Sequence, residues 1–252
     1  MSSGLSLEPA AFQNQLLQAL PKTALMTLVP LLEPVTLKRR QPLEEAGRII
    51  DHVYFPETVL GSKVAKAGKL SIEVAIFGRE GMSGTPLLLN DAESSLDSYA
   101  QVEGTALRVP AKPFSEFLQI SPTSRGILRR YTHAEQSQMA YAVLASGKTT
   151  TDRRLARWLL MAHDRIPGDV LKVGHAELAD MLGVRRPGVT TCLHLLEGKQ
   201  LIKCSRSSIL IVDRQGLHTV AGSAYGEPER QYQRLLGFPP GKFSLPAVRQ
   251  RT

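Results

Sequence analysis

The stretch that decides the fold is HAELADMLGVRRPGVTTCLHLLEGKQLI, residues 175–202. Gly183 lies four positions after Ala179 and six before Val189. This spacing predicts two short helices joined by a tight turn. A small residue lets the helices approach, glycine takes the turn, and an aliphatic residue packs the second helix onto the first.

The second predicted helix is basic and polar on one side, as suits a helix that enters the DNA major groove. Its candidate DNA contacts are Arg185, Arg186, Gly188, Thr190, Thr191, His194 and Lys199. A basic segment with Lys203 and Arg206 follows, and then the apolar run 209–212. Strand, turn and strand predict a wing, whose basic residues are further candidate DNA contacts. The alternative for this stretch is an αα-hairpin buried inside an enzyme.

Composition sets the class of protein and its partners. The 252 residues are 42% hydrophobic, enough for a proper core, and carry a formal net charge of +8. A basic balance favours a polyanionic partner, because cations near phosphates release condensed counterions. No secretory signal and no apolar run long enough to span a bilayer is visible, so we expect a cytoplasmic protein without a membrane partner.

The two cysteines, Cys192 and Cys204, both lie in the predicted winged unit. They make no metal-binding signature, and they cannot hold an iron–sulfur cluster by themselves. Cys192 is interpreted as a small core residue, with a redox thiol as the alternative.

The texture of the chain predicts five consecutive regions. Residues 1–34 contain N-terminal helices. Residues 35–120 form a small β-barrel, because apolar residues alternate, as at Leu70, Ile72, Val74 and Ile76, and glycines punctuate the strands. A long helix at 121–147, a winged helix-turn-helix at 148–218 and a tail at 219–252, with its last dozen residues poorly ordered, complete the chain. The fold class is therefore α+β.

The long helix carries an apolar stripe. Its members are Ile127, Leu128, Tyr131, Met139, Ala142, Val143 and Ala145. The stripe packs either on its own barrel or on a second copy, and we favour the homodimer. The next helix, predicted from Thr151 to Ile166, carries Arg153, Arg154 and Arg157. Whether these arginines touch phosphate or are merely solvated stays open.

Four segments match the pattern of a known family over roughly residues 30–220. They are VYFPETVLGSKV (53–64), IFGREGMSGTPLLL (76–89), RLARWLLMAHDR (154–165) and GVRRPGVTTCLHLLEGKQLI (183–202). In this order they resemble the bacterial cyclic-AMP receptor protein and fumarate–nitrate regulator (Crp/Fnr) family of transcription factors. The resemblance implies a cyclic-nucleotide-binding-like barrel (a double-stranded β-helix or jelly roll), a dimerisation helix and a winged helix-turn-helix.

The sensor departs from the nucleotide-binding members of that family. Thr85 replaces the glutamate that binds the ribose, and Asp97 and Ser98 stand where the phosphate-binding arginine is expected. Met139 and Ala140 replace hydroxyls that contact the purine. The resemblance therefore implies a degenerate effector pocket at Gly81, Gly84, Thr85, Asp97, Ser98 and Met139. We expect neither cyclic AMP nor cyclic GMP to bind in the usual manner, and the effector is unknown.

Two routes around that conclusion remain. Lys63, Lys66, Lys69 or Arg79 are candidates for a substitute cation. Haem would need an axial ligand, and His52, the one histidine of the predicted barrel, is interpreted as structural.

The base-contacting positions of the family carry over in part. Arg186 matches the first arginine and suits a guanine edge, Pro187 replaces a glutamate, and Thr191 replaces a second arginine and suits a thymine methyl. The sequence predicts a non-enzymatic regulator that binds double-stranded DNA as a homodimer, with RNA polymerase as a further candidate partner. GxSxG, P-loop and HExxH motifs are absent. The alternative is an effector-binding module whose helix-turn-helix mediates protein contacts.

Overall fold

A computed structural model describes residues 12–243 of the chain. The predicted N-terminal helices are α1 (Gln15–Gln18) and α2 (Lys22–Leu28), followed by a 3-10 turn at Val29–Leu31. The buried side chain of Asn14 caps α1 by accepting hydrogen bonds from the backbone N–H groups of Leu16 and Leu17. Its amide also donates to the carbonyls of Pro56 and Gly81, at 3.0 and 2.9 Å. This cap fixes α1 on the strands that follow.

Short antiparallel strands form a barrel-like domain that is not closed. Their bounds are β1 (Glu33–Leu37), β2 (Pro42–Glu44), β3 (Arg48–Ile49), β4 (His52–Pro56), β5 (Leu60–Ala67), β6 (Leu70–Phe77), β7 (Glu93–Ser94), β8 (Asp97–Val102) and β9 (Gly104–Pro110). They pair as a three-stranded sheet β1-β9-β4, a four-stranded sheet β2-β8-β5-β6 and the pair β3-β7. Sheet and helix together confirm the α+β class.

A bulge in β6 changes the expected alternation. Lys63 pairs with Ala75 and Val64 with Glu73, so Val74 is an extra residue in the ladder. Because an extra residue reverses which face the next side chain takes, Ile76 and Glu73 share a face. The prediction that Leu70, Ile72, Val74 and Ile76 all face one way is therefore wrong. The bulge places the Glu73 carboxyl against the C-terminal part of the molecule.

Two helices lead out of the strands. Helix α3 (Ala111–Ile120) is short, and α4 (Pro122–Lys148) is the predicted long helix, within one residue at each end. Pro122 lies in its first turn, where a missing N–H costs nothing. Within residues 12–243, no helix is both long enough and apolar enough to cross a membrane.

A winged unit follows, which we call the winged domain. It comprises α5 (Thr151–Arg165), β10 (Val170–Leu171), α6 (His175–Leu182), α7 (Arg186–Gly198), β11 (Ile202–Cys204), β12 (Ile209–Ile211) and α8 (Arg214–Ala221). Ala179 and Val189 are buried between the helices, and Gly183 ends α6 with φ +61°. That left-handed backbone explains the glycine. The sequence did not predict β10, which pairs with β12 as a third strand.

The chain then returns to the barrel-like domain. Helix α9 (Glu227–Leu236) packs against α4. The Tyr232 ring meets the Tyr131 ring edge-on at 6.4 Å, and its hydroxyl donates to the Glu80 carbonyl at 2.6 Å. The region predicted as a tail thus contains a docked helix. Residues 244–252 of that tail, including most of the stretch predicted to be poorly ordered, and residues 1–11 of the first region lie outside the described residues.

Candidate nucleic-acid interface and effector pocket

The exposed end of α7 is the best candidate for contact with nucleic acid. Arg185 precedes the helix and Arg186 begins it, and both side chains are exposed. Pro187 lies in the first turn, and no side chain of the described residues caps this end. The uncapped N-terminus carries the positive end of the helix dipole and attracts anions. Two guanidinium groups reinforce this positive potential.

The remaining predicted contacts on α7 differ in accessibility. Gly188, Thr191 and His194 are exposed. The Thr191 hydroxyl donates to the Pro187 carbonyl at 3.0 Å. The half-buried Thr190 hydroxyl forms a 3.2 Å hydrogen bond with Nδ1 of His175. Thr190 therefore helps to join α6 and α7 and is less available than the sequence predicted.

The basic wing lies beside this helix, as the sequence predicted. Lys203 and Arg206 are exposed. The backbone N–H of Cys204 donates to Glu197 Oε1 at 2.8 Å, which fixes β11 to α7. Lys199 follows the last residue of α7 and is exposed. At about 1.5 Å of rise per residue it lies roughly 20 Å along the axis from Arg186. It therefore belongs to the wing side of the surface.

The three arginines of α5 have separate roles. Arg153 is exposed and remains a candidate phosphate contact. Arg154 is half-buried and donates to the Leu182 carbonyl of α6. Arg157 is only 8% exposed, so neither of the two roles left open for it, phosphate contact or solvation, is correct.

The two thiols are partly covered by the core of the winged domain. Burial raises the pKa of Cys192, and it raises the pKa of Cys204 to about 11. Since the thiolate is the reactive form, these environments favour the packing role over the redox role for Cys192.

A cavity of about 370 Å³ lies between the strands and α4. Of the six predicted pocket residues, Thr85, Ser98 and Met139 line it. Gly84 adjoins it through its backbone, whereas Gly81 packs so closely under Tyr131 that an added Cβ would lie 2.3 Å from the hydroxyl oxygen. Asp97 does not line this cavity and pairs instead with Lys66.

A buried ion pair occupies the inner end of this cavity. Lys63 Nζ lies 2.9 and 3.0 Å from the two carboxylate oxygens of Glu135 on α4, and 2.7 Å from the Thr85 hydroxyl. That hydroxyl donates to Glu135 at 2.9 Å. Lys63 and Glu135 are 3% and 5% exposed, respectively. Of the four candidate cations, Lys63 reaches the pocket, but its charge is already matched.

A second carboxylate takes the backbone donor that an anionic ligand would use. Glu44 is buried and accepts hydrogen bonds from the Gly84 N–H and the Ser94 hydroxyl, both at 2.9 Å. Gly84 has φ +70°, which turns this N–H toward the pocket side of the loop. The wall of the cavity therefore already contains carboxylates bound to its own donors.

Sequence reasoning missed Glu44 and Glu135. A signal for Glu135 was present: Leu128, Tyr131, Glu135 and Gln138 recur at helical spacing and are all buried. Polar residues on the buried face of a helix need partners, and Gln138 likewise bonds both backbone groups of Ile76 at 2.8 and 3.1 Å. Within residues 12–243, no cluster of His, Cys, Asp and Glu is arranged to hold a metal ion.

Geometry and comparison define a class of protein with an effector-type barrel, a long helix and a winged helix-turn-helix. Residues 153–220 match the family model described as the Crp-like helix-turn-helix domain. No curated protein sequence matches the chain.

Solved structures share the whole architecture. A putative crp/fnr-family transcriptional regulator from Eubacterium rectale is 16% identical, with a TM-score of 0.63 over 82% of this chain and 97% of that one. A CRP-family regulator from Thermus thermophilus is 20% identical, with a TM-score of 0.62 over 77% and 98% of the two chains. FixK2 from Bradyrhizobium japonicum is 17% identical, with a TM-score of 0.61 over 76% and 98%.

The protein is therefore of the Crp/Fnr type: it carries a Crp-like helix-turn-helix domain, and its fold is that of Crp/Fnr regulators. The resemblance seen in the sequence is confirmed at these two levels.

Proposed function

We propose that this protein binds a two-fold related promoter site as a homodimer and does no enzymatic chemistry. The observation that carries the proposal is the exposed Arg185–Arg186 pair at the uncapped start of α7, beside the basic wing. Phosphate contacts by such cations make binding fall steeply with salt. RNA polymerase remains a candidate partner, and a cytoplasmic location follows from the proposed role.

A salt titration of DNA binding tests this proposal. Fluorescence anisotropy with a pool of labelled promoter fragments is measured at several salt concentrations. We expect log K to fall linearly with log salt. Absence of DNA binding at low salt, together with capture of a protein partner by the winged domain, would favour the alternative of a protein-contact module.

The proposed dimer interface is the face of α4 that its own chain leaves uncovered. Most of the predicted apolar stripe is not on that face, because Leu128, Tyr131 and Ala145 are buried in their own fold. Val143 and Leu144 are 71% and 51% exposed. Exposed positions recur along the helix at alternating spacings of four and three. They are Arg129, His133, Gln136, Ala140, Val143 and Gly147.

This seven-residue recurrence supports pairing with a second α4, since helices that pack along their length bury one position every three or four residues. The apolar contact would be concentrated at the C-terminal end, next to the winged domain. Two winged domains held by one two-fold axis would read two half-sites.

The proposed pocket does not take a cyclic nucleotide in the usual manner. Lys63 is neutralised by Glu135, and the Gly84 N–H is bound by Glu44. A cyclic phosphate entering here would have to displace a buried carboxylate from its partner, and leaving a buried charge unpaired costs several kcal/mol, roughly 3–5. The carboxylate-rich wall disfavours an anionic effector.

A further inference from the structure

A guanidinium without a partner is buried where the three parts of the molecule meet. Arg157 on α5 is 8% exposed. Its Nε and Nη2 atoms are inaccessible to solvent and have no hydrogen-bond partner within residues 12–243. Buried guanidinium groups are almost always paired, so this one calls for an explanation.

Arg157 faces a small cavity of about 40 Å³. Its walls come from β6 of the barrel-like domain, from α4, and from α5 and α6 of the winged domain. A buried water needs roughly 10–15 Å³ on this measure, so the space holds about three waters or one anion of a few atoms. A nucleotide or any larger organic molecule is too big.

The charges around this cavity favour an anion over water. Its lining contains two guanidinium groups, Arg154 and Arg157, and one carboxyl, Glu73. Glu73 already accepts hydrogen bonds from Ser62 and Trp158. Burial raises the pKa of Glu73 to about 7, so at neutral pH it offsets the two cations only in part. Loss of solvent lowers the pKa of Arg157, as expected of a cation without enough negative charge nearby.

We propose that this cavity is a binding site for a small monovalent inorganic anion of the size of chloride or nitrate. The anion accepts hydrogen bonds from the unpartnered Nε and Nη2 of Arg157, in the paired geometry that a guanidinium offers to anions. Arg154 lines the same cavity and adds charge. The bound ion would join β6 and α4 to α5 and α6, the junction through which the barrel-like and winged domains touch.

Anion-dependent thermal stability of the full chain is the first test. The melting temperature is measured by calorimetry at constant ionic strength while sodium gluconate, whose anion is too large for the cavity, is exchanged for chloride or nitrate. We expect a rise of roughly 3 °C at about ten times Kd in the unmodified chain. Arg157→Gln should remove this rise. The matched control Arg153→Gln changes an exposed arginine of the same helix and should keep it.

An equal rise in all three proteins would show a general salt effect and overturn the site. If Arg157→Gln does not fold, crystals of the unmodified chain grown in bromide decide the question by anomalous scattering. A bromide peak within hydrogen-bond reach of Arg157 supports the site. Density that fits only water there, with no anomalous peak, overturns it.

Discussion

Glu80 and Arg165 form an ion pair in the interior, with 2.6 Å between Oε1 of Glu80 and Nε of Arg165. Their side chains are 2% and 3% exposed. Glu80 lies in the loop after β6, whereas Arg165 ends α5, so the pair joins the barrel-like domain to the winged domain. Arg165 also donates to the Met161 carbonyl at 2.7 Å. The nearby carboxylates outweigh desolvation and keep the pKa of Arg165 raised.

Replacing Glu80 with alanine should lower the free energy of unfolding by about 3–5 kcal/mol, because it leaves the Arg165 charge buried and unpaired. Chemical denaturation measures this. The control Glu227→Ala breaks a surface pair with Arg230 and should cost less than about 1 kcal/mol. Equal small losses in both variants would show that the interior pair does not hold the domains together.

The buried Glu73 should make stability depend on pH. Burial raises its pKa to about 7 in the folded chain from an ordinary 4.5. The folded state therefore holds this proton more tightly, and the resulting stability is fully present below pH 4.5 and is lost as the pH rises through 7. The loss is at most about 3 kcal/mol.

Asp164 also has a pKa raised by burial to about 7, so the unmodified chain alone does not isolate Glu73. The difference in unfolding free energy between the unmodified chain and Glu73→Gln does, because Asp164 is present in both. This difference should shift in favour of Glu73→Gln between pH 5 and 8. Glu93→Gln, at an exposed position, is the control. A pH-independent difference would contradict the assignment.

Arg186→Ala should weaken binding to a selected operator and relax the preference at one guanine by roughly 1–3 kcal/mol. Binding to a panel of single-base operator variants measures this loss. Lys203→Ala on the wing should instead weaken all sequences about equally and reduce the salt slope by about one. Full discrimination at every base pair in Arg186→Ala would show that this side chain reads no base.

The double variant Val143→Glu, Leu144→Glu should be a monomer at micromolar concentration, because it places charges on the exposed apolar end of α4. Sedimentation measures the state with and without DNA. Ile120→Glu, at an equally exposed apolar residue of α3 outside that face, should leave a dimer intact. A monomeric unmodified chain under both conditions would exclude the proposed assembly.

Cyclic AMP and cyclic GMP should bind at least two to four orders of magnitude more weakly than a pocket with its glutamate and arginine intact, since two charged hydrogen bonds of about 1.5–3 kcal/mol each are lost. Calorimetry with each nucleotide is the measurement. Micromolar binding that Glu135→Ala alters would place the ligand in this cavity and refute the proposal.

The helix-turn-helix was predictable because its determinants are local. Ala179, Gly183 and Val189 lie within eleven residues of sequence, and each has one geometric role that no distant contact overrides. The wing followed from the same stretch. The strand β10 was missed because only two residues, Val170 and Leu171, form it, and pairing with β12 determines it.

The polar interior was not predictable in the same way. Lys63 and Glu135 are 72 positions apart, so their pairing is a property of the folded chain. The alternation in β6 misled because a single bulge at Val74 leaves no trace in the pattern of residue types. The three arginines of α5 are alike in sequence, and only packing separates the exposed Arg153 from the buried Arg157.

The return of α9 to α4 changes how the winged domain is mounted. The chain enters this domain after Lys148 and leaves it before α9, and Tyr232 fastens that exit back to the Glu80 carbonyl. The domain is thus suspended from two anchors, like a gate on two pins. With both attached, the rigid-body motion that remains is a swing about the line between them. A half-site separation on DNA would then be set by the angle of that swing, with no change in the reach of a linker.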